Sequence, residues 1–586
     1  MKIISITSGM RTYISRNFWT SIILGVVMLV ALQFLLIPRF SVESVMQNVT
    51  TLPNALPVLT WDVSGPITAT MRVHRFPWQR TDFLVIPDDC TELLTVDERV
   101  IVKQVCKNGM SDKRFLIDVG PARTASIVAK VRNGKNSPMG FTIQMPEDAI
   151  ELLMLRIAFA LLLATALARI IRLWLGITDS VTLFMIGAGI LTRYLYGTYT
   201  DFNIRAYDAL HHLYYVYLMV DHWQIPAAGG WETHQPPLYY ALTSLIVRAA
   251  QGTGIVNAVS AVQAFSIFLS IGALFVGLWI GSRVLRKQGT IAMRMYAMFL
   301  AGLPGIIFFA PRISNDVLVT FEVFVSGALM LVWWKSGSRS AWYGLWLLAA
   351  AGFLTKLNGA SIAITLFLIG ILAPRSIRPT MRTWVGSLIL FTLLTAWLPV
   401  IRFHEGPNSV RNLVMTGKAG ITPALKVRHD PADFLTFNPI GMLLHPVNEP
   451  YNDASRRSKP FEYFFRSALF GEFSDQPVPW LSHTLLLLAL SLIPWMIFGV
   501  VKQGRNLTKE YLPFVVLSVV TIALWLTYII IFPYSPEQDF RFSGFLVCAG
   551  AALLAAGVQG SSEKWKKNGE LLTLCFSTLS MLMLIL

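Results

Sequence analysis

The sequence predicts a polytopic α-helical membrane protein of about thirteen spans with an inserted extracytoplasmic all-β domain. Three observations predict it. The 586 residues are 54% hydrophobic and 14% charged, with a mean hydropathy of +0.56, whereas a soluble chain carries about 25% charged residues. Apolar runs of roughly 20 residues, the length that crosses a bilayer as a helix, recur along the chain. Residues 40–148 interrupt them with short stretches that alternate apolar and polar, the period of half-buried strands.

The formal charge of +16, from 49 Lys and Arg against 33 Asp and Glu, is read as basic residues holding short loops on the cytoplasmic side. No Gly-rich nucleotide loop and no zinc-finger cysteine spacing is present, so nucleic acid is not expected as a partner.

Residues 1–39 read as an N-terminal anchor. Lys2, Arg11 and Arg16 precede the apolar run 18–37, and Pro38-Arg39-Phe40 is no small-residue cleavage site. The N-terminus is therefore cytoplasmic. Residues 40–148 form the β domain, with strand-like stretches at 68–73, 83–86, 100–105, 115–119, 126–131 and 141–145. Its Cys90 and Cys106 form a disulfide if the domain faces an oxidising compartment, and stay as two thiols otherwise. Residues 149–177 hold a second span, 150–168, ending at Arg169 and Arg172.

Residues 178–586 form the main membrane domain, with spans at 181–196, 262–280, 291–310, 317–334, 341–354, 360–372, 384–400, 481–500, 512–531, 542–558 and 571–586. Alternation from the N-terminus puts short basic loops inside and two long polar loops, 197–259 and 402–480, outside. The apolar piece 238–247 is too short to cross and reads as an interfacial helix. All nine histidines then fall in outer loops or at their membrane edge, so chemistry is sought on the outer face.

The candidate residues follow from that placement. Asp208 sits among aromatic and apolar neighbours, with His212 four residues on and so on the same helical face. Such a carboxylate can act as a general base or orient an acceptor; the alternative is a solvated acid on an interfacial helix. Asp201 is its rival and also suits a helix cap. His234 precedes Pro236-Pro237, which can open a helix at Leu238. His212, His222 and His234, with Asp208 or Glu232, offer metal-ligand types without tight motif spacing, so a divalent metal stays an open option. Arg312, Lys356 and Arg541, in short outer turns, can neutralise a lipid-linked phosphate. They suit equally a snorkelling or ion-pairing role, as for Arg541 with Asp539.

In order, the chain carries Tyr207-Asp208-Ala209-Leu210-His211-His212, His234-Gln235-Pro236-Pro237-Leu238-Tyr239-Tyr240, Arg312-Ile313-Ser314-Asn315-Asp316, Thr355-Lys356 with Gly359, Leu469-Phe470-Gly471-Glu472-Phe473 and Gln538-Asp539-Phe540-Arg541. This series resembles the GT-C superfamily of membrane glycosyltransferases, near bacterial protein O-mannosyltransferases and lipid A aminoarabinose transferases, over roughly residues 178–560. The resemblance implies a GT-C-like core that moves a sugar from a polyprenyl-phosphate donor to a protein, lipid or glycan acceptor. It places the catalytic Asp at Asp208 and a juxtamembrane helix after Pro236-Pro237. On that reading Arg312, Lys356 and Arg541 hold the donor phosphate, while His212, His234, Gln235, Tyr239 and Glu472 line the acceptor or sugar side. Asn315, Asp316, Asp539 and Asp201 are further candidates. Departures from the pattern are Ala209 where many relatives have Glu, the two spans and β domain ahead of the core, and the absence of Trp-Trp-Asp. The Asp88-Asp89-Cys90 stretch, Cys106, and Asn133-Gly134 with Gly140-Phe141 resemble carbohydrate-binding jelly rolls; a structural cap or partner surface is the alternative. The resemblance to bacterial members places the protein in a bacterial inner membrane.

Three rival functions remain, one of them a non-catalytic sugar-binding or assembly subunit. A flippase of lipid-linked sugars predicts ionisable residues inside the spans, of which Glu322 is the clearest. A glycan ligase or polymerase predicts transfer of whole glycans.

Overall fold

A computed structural model describes residues 24–585, apart from 30, 33–34, 37, 48–49, 52–57, 61–65, 88–89, 107–114, 133–138, 145–149, 201–207, 229–231, 254–257, 407–422 and 472–478. Asp201 and Glu472, two of the candidate residues, lie outside the described residues. The chain divides into two compact units. The first comprises Met1–Ala166, Asp208–Pro226 and Tyr240–Phe265; the second comprises Leu167–Tyr207, Ala227–Tyr239 and Ser266–Leu586.

Among the described residues of the first unit, ten strands form two antiparallel sheets. The strands are β1 (Arg39–Gln47), β2 (Thr50–Thr51), β3 (Val58–Thr60), β4 (Pro66–His74), β5 (Asp82–Pro87), β6 (Cys90–Val96), β7 (Arg99–Lys103), β8 (Phe115–Asp118), β9 (Thr124–Arg132) and β10 (Met139–Gln144). One sheet runs β2-β1-β4-β9-β6-β7 and the other β3-β10-β5-β8. The alternation in the sequence is the cause. Ile67, Ala69, Met71 and Val73 of β4 and Ala125, Ile127, Ala129 and Val131 of β9 all point inward, where they share one core with Phe83, Val85, Ile117 and Ile143 of the other sheet. Cys90 and Cys106 are joined by a disulfide that closes the β6–β7 hairpin. Closing a loop of this length stabilises by about 3 kcal/mol.

Helix α1 (Ile150–Leu175) follows. It runs past the expected end at 168 and takes Arg169 and Arg172 into its last turns. The described residues at 24–36 are also helical, and Gly25 packs against Leu162 of α1. The later helices of this unit are α3 (Ala209–His222) and most of α4 (Leu238–Thr253).

The second unit is helical. Its elements include α2 (Ser180–Tyr199), α5 (Ala258–Val284) from Ser266 onward, α6 (Thr290–Gly302), α7 (Pro304–Phe308), α8 (Asn315–Ser336), α9 (Arg339–Thr355), α10 (Ala360–Leu372), α11 (Met381–Thr395), α12 (Trp397–His404), α13 (Pro439–Leu444), α14 (Pro460–Phe470), α15 (Pro479–Glu510), α16 (Leu512–Ile531), α17 (Leu546–Gln559) and α18 (Glu563–Ile585). Among the described residues, six helices are long and apolar enough to cross a membrane, and a seventh crossing results if the 66° bent pair Ser535–Ser543 and Leu546–Gln559 is one span. This makes the protein an integral membrane protein. The count stays below the thirteen expected by this measure. The expected spans 360–372 and 542–558 are helices of 13 and 14 residues, short of the roughly 20 that a straight crossing needs. The expected span 291–310 is broken at Leu303-Pro304, where Pro304 starts a new short helix.

Helices α15 and α17 touch backbone to backbone. A Cβ on Gly557 would sit 1.8 Å from the Trp495 carbonyl oxygen, and one on Gly499 would sit 2.0 Å from that of Leu553. Small residues permit such close approach where lipid supplies no hydrophobic drive between helices. Gly557→Leu must push the two backbones apart, at a cost of about 3 kcal/mol or more. The expected outcome is a lower thermal unfolding midpoint for the purified variant; an unchanged midpoint would count against this packing.

Candidate active site

In the second unit, charged groups gather where the start of α8 meets the end of α9. Ser314 caps α8 by accepting the Asp316 backbone N–H, and its hydroxyl donates to Asp316 Oδ2 at 3.1 Å. The N-terminal end of a helix favours a carboxylate there. At the end of α9 the chain turns through Leu357–Gly359. A Cβ on Gly359 would lie 2.3 Å from the Gly352 backbone, so only glycine allows this turn to close. The turn places Lys356 Nζ 2.6 Å from Asp316 Oδ1. Both side chains are largely buried, so the pair is held in a low-dielectric setting where its charges are strongly felt.

Two arginines complete the cluster. The Arg541 guanidinium lies 4.8 Å from the Phe542 ring centre, and Lys356 Nζ approaches the same ring at 5.1 Å. Arg312 is buried and stacks 4.3 Å over Phe309. Asp539, fully buried, accepts the Arg541 backbone N–H at 2.7 Å and feels the charges of Arg541, Arg312 and Asp316. Three cations thus face two carboxylates. Beside them opens a cleft walled by Ile306, Phe309, Val317, Phe324 and Phe540, with Asp316 and Arg541 as its charged lining.

A chain of hydrogen bonds leads from this cluster to His234. Thr355 Oγ1 donates to Glu322 Oε1 at 3.0 Å. Asn315 Nδ2 donates to the Thr355 carbonyl at 3.1 Å and to Gln235 Oε1 at 3.2 Å. Gln235 Nε2 lies 3.2 Å from His234 Nε2. The Thr355 carbonyl can only accept, so it fixes the Asn315 amide. That amide fixes Gln235, whose NH₂ then points at His234. His234 Nε2 must therefore accept, leaving the ring proton of the neutral imidazole on Nδ1.

The segment bearing His234 is tied down by two residues that sequence reading left in the general outer loop. Arg402, fully buried, donates to the Thr233 carbonyl at 2.8 Å and pairs with Glu405 at 2.8 and 3.0 Å. Glu405 in turn accepts the Ala228 N–H at 3.1 Å. The available signal was an Arg and a Glu three apart directly after an apolar run. Helix α4 begins at Leu238 after Pro236-Pro237, as the sequence implied. Tyr239 at its start is buried. Burial pushes its phenol up, opposed by hydrogen bonds to the Ser266 side chain and the Ser314 backbone.

In the first unit, Asp208 stands immediately before α3 and does not cap it with its side chain. The His212 N–H donates to the Asp208 carbonyl at 2.9 Å, so the two residues lie one helical turn apart. His212 Nδ1 lies 2.8 Å from the Tyr240 hydroxyl, and Tyr240 stacks on Tyr215 at 3.7 Å. Asp208 also acts electrostatically on His211. Burial pushes His211 down to about 4, against the opposing pull of the Asp208 charge. Its folded value thus lies below the unfolded value of about 6.5. The stability of the neutral ring is present above the unfolded value and is lost as pH falls toward about 4. We expect the unfolding midpoint of the wild type to drop across that window, and the drop to shrink in His211→Gln.

Among the described residues no group of three or more His, Cys, Asp or Glu is placed to hold a metal. The metal option for His212, His222 and His234 therefore gains no cluster, and His222 is exposed at the end of α3.

No protein-family model matches the sequence, and no curated protein matches it. Among solved structures, the chain is similar to the arabinosyltransferase EmbB from Mycobacterium smegmatis, determined by cryo-electron microscopy, at 12% identity and a TM-score of 0.34. The likeness covers 92% of this chain and 52% of that one, so the chain spans about half the length of the structure it matches.

Proposed function

We propose that this protein is a membrane glycosyltransferase of the GT-C type that takes its sugar from a polyprenyl-phosphate donor on the extracytoplasmic face. The observation that carries the reading is the cleft in the second unit: aromatic and aliphatic walls end in Arg541 and Asp316, and Asp316 is paired with Lys356 behind it. An isoprenoid phosphate has the same division, an apolar tail joined to an anionic head. Arginine and lysine are the side chains that neutralise such a head.

The acceptor oxygen attacks the anomeric carbon on the face opposite the phosphate. The bond from that carbon to the phosphate oxygen breaks, polyprenyl phosphate leaves, and the anomeric centre inverts. The sequence resemblance alone assigns the acceptor proton to Asp208 as general base. Lys356 and Arg541, with Arg312, neutralise the charge that grows on the leaving phosphate. Asp316 and Asp539 set the orientation of those cations, and Asn315, Gln235, His234 and Tyr239 shape the sugar and acceptor side, to which the sequence resemblance alone adds His212. The catalytic part comprises residues 178–586, after the anchor 1–39, the β domain 40–148 and the helix of 149–177. No described metal cluster enters this scheme.

The β domain lies on the same outer face in this reading. Its disulfide supports an oxidising compartment. The sheet orders β3-β10-β5-β8 and β4-β9-β6-β7 support an eight-stranded jelly roll, with β1 and β2 added beyond the β4 edge. A bacterial inner membrane with the N-terminus in the cytoplasm accommodates this arrangement. Purified protein in lipid, given radiolabelled polyprenyl-phosphate sugars and candidate acceptors, tests the proposal through inverted product; failure of every such donor would overturn it.

A further inference from the structure

The β domain carries an exposed aromatic pair that catalysis does not use. Phe76 and Trp78, in the β4–β5 turn, are 45% and 63% exposed and stack face to face, with ring centres 4.9 Å apart and planes 7° from parallel. Water is a poor setting for two such rings side by side. The turn that holds them is rigid. Arg75 is buried and donates to the carbonyls of Arg80 (3.2 Å), Gly120 (3.2 Å), Ala122 (3.0 Å), Pro77 (3.4 Å) and Gln79 (2.6 Å).

The position of the turn is set by a second observation. Trp78 Nε1 donates to the Leu35 carbonyl at 2.8 Å, and Gln79 Nε2 donates to the same oxygen at 3.0 Å. Leu35 closes the apolar N-terminal helix, where the last carbonyls lack partners within the helix. That helix packs on α1, a span with little of its surface covered by protein, and it exposes Leu24, Val27, Met28 and Leu35. The end of a lipid-facing helix lies at the boundary between hydrocarbon and headgroups. A side chain bonded to its last turn lies there too. Tryptophan is enriched at this depth because its ring is apolar and its N–H still needs an acceptor. The neighbouring turn, held to Arg75 by the bond from its N–H to the Arg123 carbonyl at 2.9 Å, exposes Arg123, a cation suited to lipid phosphate.

We infer that the turn Phe76–Gln79 is an interfacial membrane anchor, which seats the Phe76–Trp78 pair in the headgroup boundary of the outer leaflet and holds the β domain at a fixed attitude to the bilayer. The occupant is lipid, because the surface continues from a lipid-facing helix. Nothing in the inference depends on glycosyl transfer.

The test is spin-label accessibility in nanodiscs of phosphatidylethanolamine and phosphatidylglycerol, in a Cys575→Ser background. A nitroxide is placed on Phe76→Cys, which leaves the Trp78–Leu35 bond intact, and for comparison on Met46→Cys. Met46 is exposed near the far end of β1, about 23 Å from Arg39 at 3.3 Å per residue. The expected result is a severalfold higher ratio of oxygen to nickel-chelate accessibility at 76 than at 46. Equal ratios would place the turn in water and overturn the inference. Poor access of both reagents to 76 would mean protein covers the pair and would overturn it equally. An unchanged unfolding midpoint for both labelled variants shows that the fold is retained.

Discussion

Asp208→Asn lowers sugar transfer by about 10²–10⁴-fold, the usual contribution of a positioned general base, while donor binding and the unfolding midpoint stay near wild type. The substitution keeps the shape of the side chain and removes its ability to take a proton. It also removes the charge acting on His211, which leaves that ring still neutral near pH 7. A base role therefore predicts loss in kcat with little change in donor KM. Full activity in Asp208→Asn would remove the base assignment and turn attention to the carboxylates of the second unit.

Lys356→Met has two separable effects. The first is on stability. Asp316 is almost wholly buried beside Lys356, and breaking a buried pair by removing one partner costs about 3–5 kcal/mol. The second is on chemistry. A cation that stabilises charge growing on a leaving oxygen contributes about 10²–10³-fold in kcat. The double substitution Lys356→Met with Asp316→Leu separates them. It removes both charges together, so most of the lost stability returns, while transfer stays low. If the double variant regained transfer along with stability, Lys356 would be a structural partner of Asp316 and nothing more.

Much of the fold was legible because membrane helices and strands write their periods directly into composition. The run 512–531 is α16 to the residue, and the run 360–372 is α10. The alternation of β4 and β9 appears as buried and exposed faces. Breaks within apolar runs were less legible. Leu303-Pro304 interrupts a run that hydropathy counts as one, because hydropathy measures transfer to lipid and ignores a missing N–H. The site was legible in its residue types and less so in its pairings. Thr355-Lys356 with Gly359 and Arg312 through Asp316 stood out as polar groups in short turns, yet the bond from Lys356 to Asp316 joins residues 40 apart. Helical spacing suggested Asp208 with His212. The His212 N–H does bond to the Asp208 carbonyl, while the contact of the His212 ring with Tyr240 joins residues 28 apart and no local period reveals it. Arg402 escaped notice because an Arg and a Glu three apart after an apolar run read as an interfacial ion pair until the carbonyl partner of the Arg is known.

One assay bears on the whole proposal: transfer from a panel of polyprenyl-phosphate sugars by the purified wild type in lipid, followed by both product formation and sidedness of the donor. The expected result is a glycosylated acceptor of inverted anomeric configuration, released polyprenyl phosphate in equal amount, and activity that disappears in Asp208→Ala with the fold intact. Donor that crosses the bilayer without losing its sugar would contradict glycosyl transfer and establish a transporter in its place.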